Sequence, residues 1–125
     1  MKLIDTNILI YSGEAVYAPL LLPLVTDTNN NVSAISHIET LGFHKITPEQ
    51  IAYFEHVFQI LQTIPIDAAI VQRAVAIRQV RRISLGDSII AATALVHNLE
   101  IITRNVADFV GIAGIKVTDP LSQLT

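Results

Sequence analysis

Short apolar stretches that stop abruptly at polar residues constrain this chain most. Lys2-Leu3-Ile4 ends at Asp5, Val32-Ser33-Ala34 follows the polar turn of residues 26–31, and Glu100-Ile101-Ile102-Thr103 runs into Arg104. Strands this apolar, with no polar face, suit a sheet covered on both sides. The intervening segments read as helices. Thr47-Pro48-Glu49-Gln50 combines a Thr cap, Pro at the first position and Gln at the third, and predicts a helix to about Thr63, ended by Pro65. Asp67 predicts the cap of the next helix, whose arginines gather toward its C-terminal end, where they complement the dipole. A further helix opens at Asp87 and ends near His97-Asn98.

The remaining pieces are less regular. Residues 14–25 are apolar and helical in part, limited by Pro19 and Pro23. Ser36 to His44 reads as a helix, Ile64-Pro65-Ile66 as a brief strand or edge, residues from about Asn105 as a short helix, and Ile115-Lys116-Val117 as a last strand. Alternating strands and helices imply an α/β fold, a three-layer sandwich with a short, mainly parallel central sheet flanked by helices. The 125 residues suit one domain, 1–125.

In open α/β sheets ligands gather beyond the carboxyl ends of the strands, and acids stand there. Asp5 follows the first strand, Glu39 lies a helical turn after the second, and Asp108 follows the strand at 100–103. Asp87 sits in the first turn of the apolar segment GDSIIAAT. Three of them share a spacing: Ser36-x-x-Glu39, Ser84-x-x-Asp87 and Asn105-x-x-Asp108. Each, taken singly, reads as a capping box or its variant, and Asp5-Thr6-Asn7 as an Asx turn or cap. Jointly they suggest something else, because four acids at one end of a small sheet repel. A divalent cation resolves that repulsion, and hard oxygen ligands suit Mg²⁺ or Mn²⁺.

Charge is compatible with that chemistry. The net charge of −3, from eleven acids against eight Lys and Arg, argues mildly against a protein that coats nucleic acid. Setting four acids aside as ligands leaves seven against eight, which admits a nucleic-acid substrate. There is no cysteine, hence no disulfide framework, thiolate zinc site or cysteine nucleophile. The four histidines fall on helices without a nucleophile pattern. Apolar runs are broken well short of the roughly 20 residues a membrane span needs, and the start lacks a signal peptide's apolar stretch. A cytoplasmic location is the expectation. Hydrophobic residues at 51% predict a filled core and an apolar surface that meets a partner.

Four stretches carry a resemblance: LIDTNILIY at 3–11, SAISHIETLGF at 33–43, GDSIIAATAL at 86–95 and IITRNVADF at 101–109. In this order, across essentially the whole chain, they resemble the PIN domain, and most of all the VapC-type toxins of bacterial toxin–antitoxin pairs. The resemblance implies a Mg²⁺-dependent endoribonuclease with Asp5, Glu39, Asp87 and Asp108 as catalytic metal ligands, Asp5 being central. Thr6 or Asn7 steadies Asp5, and Thr103 and Asn105 support the fourth acid. It also implies 3′-hydroxyl and 5′-phosphate products, a VapB-like antitoxin partner and a homodimer.

Arg104, Arg81 and Arg82 are the candidate RNA contacts, with Arg104 favoured because it lies between two motif positions; Arg81-Arg82 reads equally well as a solvated helix end. Ile51, Phe54, Val57, Phe58 and Leu61 recur at helical spacing, mostly as core. Their exposed remainder, with the helix before them, supplies a dimer face or a groove for an antitoxin helix. The alternative is a PIN-like RNA- or protein-binding module with little or no catalysis. A phosphatase or receiver domain is disfavoured, because Thr-Asn rather than a second acid follows Asp5.

Overall fold

The computed structural model describes residues 1–122 of the chain. Five parallel strands form one sheet in the order β3-β2-β1-β4-β5. They are β1 (Lys2–Ile4), β2 (Asn31–Ser33), β3 (Gln62–Ile64), β4 (Glu100–Ile102) and β5 (Val117–Thr118). Six helices cover the sheet: α1 (Thr6–Ser12), α2 (Ala18–Val25), α3 (Ala34–Leu41), α4 (Pro48–Ile60), α5 (Ala68–Val80) and α6 (Leu85–His97). A 3₁₀ turn, Val106–Asp108, follows β4. This is the expected α/β sandwich, with the sheet wholly parallel.

The two cores explain why the strands are apolar on both sides. Successive side chains of a strand point to opposite faces. Leu3 and Ile101 accordingly join one core with Ile70 and Ala74 of α5, Ile90 of α6, and Phe109. Ile4 and Ile102 join the other with Ile8 of α1, Leu21 of α2, and Phe54 and Val57 of α4. Leu3 and Ile4 are fully buried, each stabilising by about 1.5–3 kcal/mol relative to exposure. A slip of one residue would exchange the faces, so this alternation pins β1 beside β4, Leu3 opposite Ile101.

Local signals account for most element boundaries. Thr47 and Gln50 make the full reciprocal capping box of α4. Asp67 caps α5 by accepting from the Ile70 N–H at 3.0 Å. Asn98, in the left-handed region at φ 54°, terminates α6, a conformation that Asn tolerates better than most residues. Several boundaries differ from expectation: α3 ends at Leu41, β3 is Gln62–Ile64, α6 opens at Leu85 and β5 is Val117–Thr118. α4 stops at Ile60 because residues 62–64 pair with β2, Asn31 opposite Gln62. The cap of α3 is Ser33, whose hydroxyl accepts from Ile35 N–H at 3.1 Å, so Ser36 lies inside the helix. A full helix, α1, starts directly after Asp5, and α2 runs through Pro23.

Because all strands are parallel, β1, β2 and β4 deliver Asp5, the start of α3 and Thr103 to the same edge of the sheet.

Candidate active site

Asp5 is held at this edge by hydrogen bonds from three residues. It caps α1, its Oδ1 accepting from the Thr6 N–H at 2.8 Å. Its Oδ2 accepts from Thr103 Oγ1 at 2.8 Å and from Asn7 Nδ2 at 3.3 Å. Thr103 is fully buried, and its hydroxyl also accepts from Asn7 Nδ2 and from the Asn105 N–H, both at 3.0 Å. The Asn7 carbonyl oxygen accepts from the Arg104 N–H at 3.2 Å. Thr6, Asn7, Thr103 and Asn105 thus all bear on Asp5 or its immediate support. Asn105 supplies no side-chain cap to the 3₁₀ turn; its backbone amide serves Thr103 instead.

Glu39 reaches this cluster from α3. Thr6 Oγ1 donates to Glu39 Oε1 at 2.6 Å. That hydroxyl has one proton, so the fully buried Ser36 hydroxyl, 2.9 Å away, donates to it. Ser36 therefore ties α3 to α1 rather than capping α3. Asp87 lies in the first turn of α6, where Ser84 caps by accepting the Asp87 N–H at 3.1 Å. The same Ser84 hydroxyl also bears on the Asp87 carboxyl. Asp108 is exposed on the 3₁₀ turn. Arg81 donates to the carbonyl oxygens of Asp108 at 3.4 Å and Val110 at 3.2 Å, fastening that turn to the end of α5.

The acids feel one another. Burial above all, with the charges of Asp87 and Glu39 adding to it, pushes the Asp5 carboxyl up to about 6 against the hydrogen bonds from Thr103 and Thr6. Burial likewise raises Asp87 against the Ser84 hydroxyl, and the charges of Asp108 and Glu39 add to the rise. Among the described residues, however, no three acidic or histidine side chains converge closely enough to hold a metal ion as they stand.

The profile of the PIN domain matches residues 2–114. The chain belongs to the PIN domain family. Among solved structures, this PIN domain is similar to a toxin–antitoxin complex from Klebsiella pneumoniae, at 37% identity over 96% of this chain and 98% of that one, with a TM-score of 0.76. FitAcB from Neisseria gonorrhoeae is similar at 25% identity over 98% and 99% of the two chains, TM-score 0.71. DNA-bound VapBC from Salmonella typhimurium shares the fold, at 24% identity over 96% and 98%, TM-score 0.80. No curated protein matches the chain.

Two neighbouring features of the PIN domain were not legible in the sequence. The Arg104 guanidinium lies 5.3 Å from the Tyr11 ring centroid and 5.7 Å from that of Tyr17, within cation–π range. Nothing in local spacing joins these rings to residue 104. Beside Glu39, Ile10, Thr40, Phe43, Ile46, Gln50 and Phe54 line an apolar cleft of about 210 Å³. It adjoins a second cleft whose rim carries Glu14 and Glu49. The expected helical stripe divides here: Phe54, Val57 and Leu61 are buried, while Ile51, Ile38 and Phe43 are exposed. Among the described residues no helix is long and apolar enough to cross a membrane.

Proposed function

We propose that this PIN domain is the toxin of a type II toxin–antitoxin pair, a Mg²⁺-dependent endoribonuclease that hydrolyses RNA phosphodiester bonds, with Mn²⁺ as a substitute. One observation carries the reading: Asp5 is an almost fully buried carboxyl at the end of the central strand, hydrogen-bonded by neutral donors alone, with Glu39 and Asp87 near enough to repel it. Beyond the cap of α1, burying that carboxyl among other acids works against folding unless a cation joins them.

The donor set fits a hard cation, being carboxylate oxygens without cysteine. Asp5, Glu39, Asp87 and Asp108 are the residues that hold it. When bound, the ion lowers the pKa of a water and offsets charge on the phosphate and leaving oxygen. Thr103, Thr6 and Asn7 fix the Asp5 carboxylate. Thr6 also orients Glu39, and Arg81 sets the turn that carries Asp108. Arg104, braced by Tyr11 and Tyr17, and the exposed Arg82 take the RNA phosphates.

The antitoxin docks along the apolar cleft beside Glu39 and the adjoining cleft, whose Glu14 and Glu49 suit a basic amphipathic segment. Exposed Val71, Val75 and Leu85, around the cleft between α5 and α6, offer a face for a second copy.

The spacing of the carboxylates favours a second reading, a PIN-like RNA- or protein-binding module with little catalysis. Cleavage of labelled tRNA, ribosomal fragments and single strands in Mg²⁺, Mn²⁺ or EDTA separates the two, with Asp5→Asn as control. Metal-dependent cutting lost in the variant supports the nuclease. Metal-dependent RNA retention without cutting supports the module.

A further inference from the structure

Gly86 stands in the first turn of α6, where glycine weakens a helix relative to alanine. It is not there for its backbone, since Gly111 and Gly114 are the glycines with positive φ. The reason lies across the gap to α3. A Cβ built on Gly86 meets Glu39 Oε2 at 2.7 Å and the Glu39 carboxyl carbon at 3.5 Å. Real Cβ atoms essentially never approach another atom at 2.7 Å. The Glu39 carboxylate therefore occupies the space a side chain at 86 would take, while the Thr6 hydroxyl holds its other oxygen at 2.6 Å.

We infer that Gly86 is a positioning residue for Glu39: its missing side chain seats the carboxylate between α1 and α6, beside Asp87. The inference rests on the metal-site reading above for its catalytic meaning, but the seat itself is a property of the metal-free chain. The clash at alanine falls on the far end of a flexible side chain. The fold accommodates Gly86→Ala by displacing Glu39 and breaking its bond to Thr6. Helix α6 and Asp87 stay in place.

The test compares wild type, Gly86→Ala, Glu39→Ala and the double variant. In metal-free protein, the Glu39 δ-carboxyl ¹³C resonance, assigned by its loss in Glu39→Ala, shifts in Gly86→Ala. Titration with Mn²⁺ alone shows affinity about 10–100-fold weaker in Gly86→Ala, the usual penalty for disturbing a ligand's support. In the Glu39→Ala background the Gly86 change costs less than about twofold. An unmoved resonance, or an equal loss in both backgrounds, overturns the inference. If wild type binds no Mn²⁺ while the resonance moves, the metal-site reading falls and the seat stands. If Gly86→Ala does not fold, the double variant decides: folding restored by Glu39→Ala supports the seat, and continued unfolding overturns it.

Discussion

The Thr6 hydroxyl donates to the Glu39 carboxylate across 2.6 Å, joining the first turn of α1 to the middle of α3. The contact is part of a directed chain, Ser36 to Thr6 to Glu39. Thr6→Val keeps the shape and removes the hydroxyl. RNA cleavage should fall by about 10–100-fold, as expected when a ligand loses its orienting partner. Stability should fall by about 1–3 kcal/mol, because the buried Ser36 hydroxyl loses its acceptor. Adding Ser36→Ala should return most of that stability but none of the activity, since removing both partners is nearly neutral. Denaturant melts of wild type and the two variants check the first point and a cleavage assay the second.

Asp5 gives a pH signature. Its carboxyl titrates at about 6 in the fold against 3.8 unfolded, chiefly through burial. The folded chain thus keeps a proton that the unfolded chain has released. This contribution is fully present below 3.8 and is lost as pH rises through about 6. In EDTA at pH 8, Asp5→Asn should melt higher than wild type, by an amount on the order of 1–3 kcal/mol. The gap should close toward pH 4. A variant that melts lower than wild type at pH 8 would show that the carboxylate's hydrogen bonds outweigh its burial.

Arg104 should read out as charge. Arg104→Gln removes one phosphate contact, so the log–log salt slope for single-stranded RNA should become shallower by about 0.7. Tyr11→Leu keeps the charge and loses the brace. It should weaken binding with the slope unchanged. Anisotropy titrations in EDTA across several salt concentrations distinguish the two.

The cleft beside Glu39 predicts a separation of function. Phe43 is half exposed on its wall, so Phe43→Ser should alter stability by no more than about 0.5 kcal/mol. RNA cleavage should persist, while co-purification of the antitoxin falls sharply. Retained partner binding would place the antitoxin elsewhere.

The capping box of α4 serves as a remote control. Thr47→Ala should cost about 0.5–2 kcal/mol of stability, with cleavage rates unchanged at temperatures where the variant is folded.

What the sequence disclosed was local. The central strand, the Thr47–Gln50 box, the Asp67 cap and the end of α6 near His97-Asn98 depend on neighbours within a few residues, and each sits where its residues foretell. The failures were non-local. Two serines, Ser33 and Ser36, can each cap α3, and the length of β2 decides between them. The end of α4 depends on the pairing of Asn31 with Gln62. The four acids were visible by their place after strands and at helix starts. Their supports were not: Ser36 meets Thr6 across 30 residues, and Gly86 meets Glu39 across two helices. A motif names the residue that is aimed and leaves out those that aim it.

The bond from Thr103 to Asp5 spans 98 positions of the chain. The middle strand of the sheet, β1, is made before all the others and must wait for β4, one of its two flanking strands, which follows only after β2, β3 and six helices. A nascent chain therefore emerges with its central carboxylate lacking the Thr103 hydroxyl, and one released before β4 stays that way. Pairings between such distant segments form slowly. The full support of Asp5 is thus completed only when β1 and β4 have met.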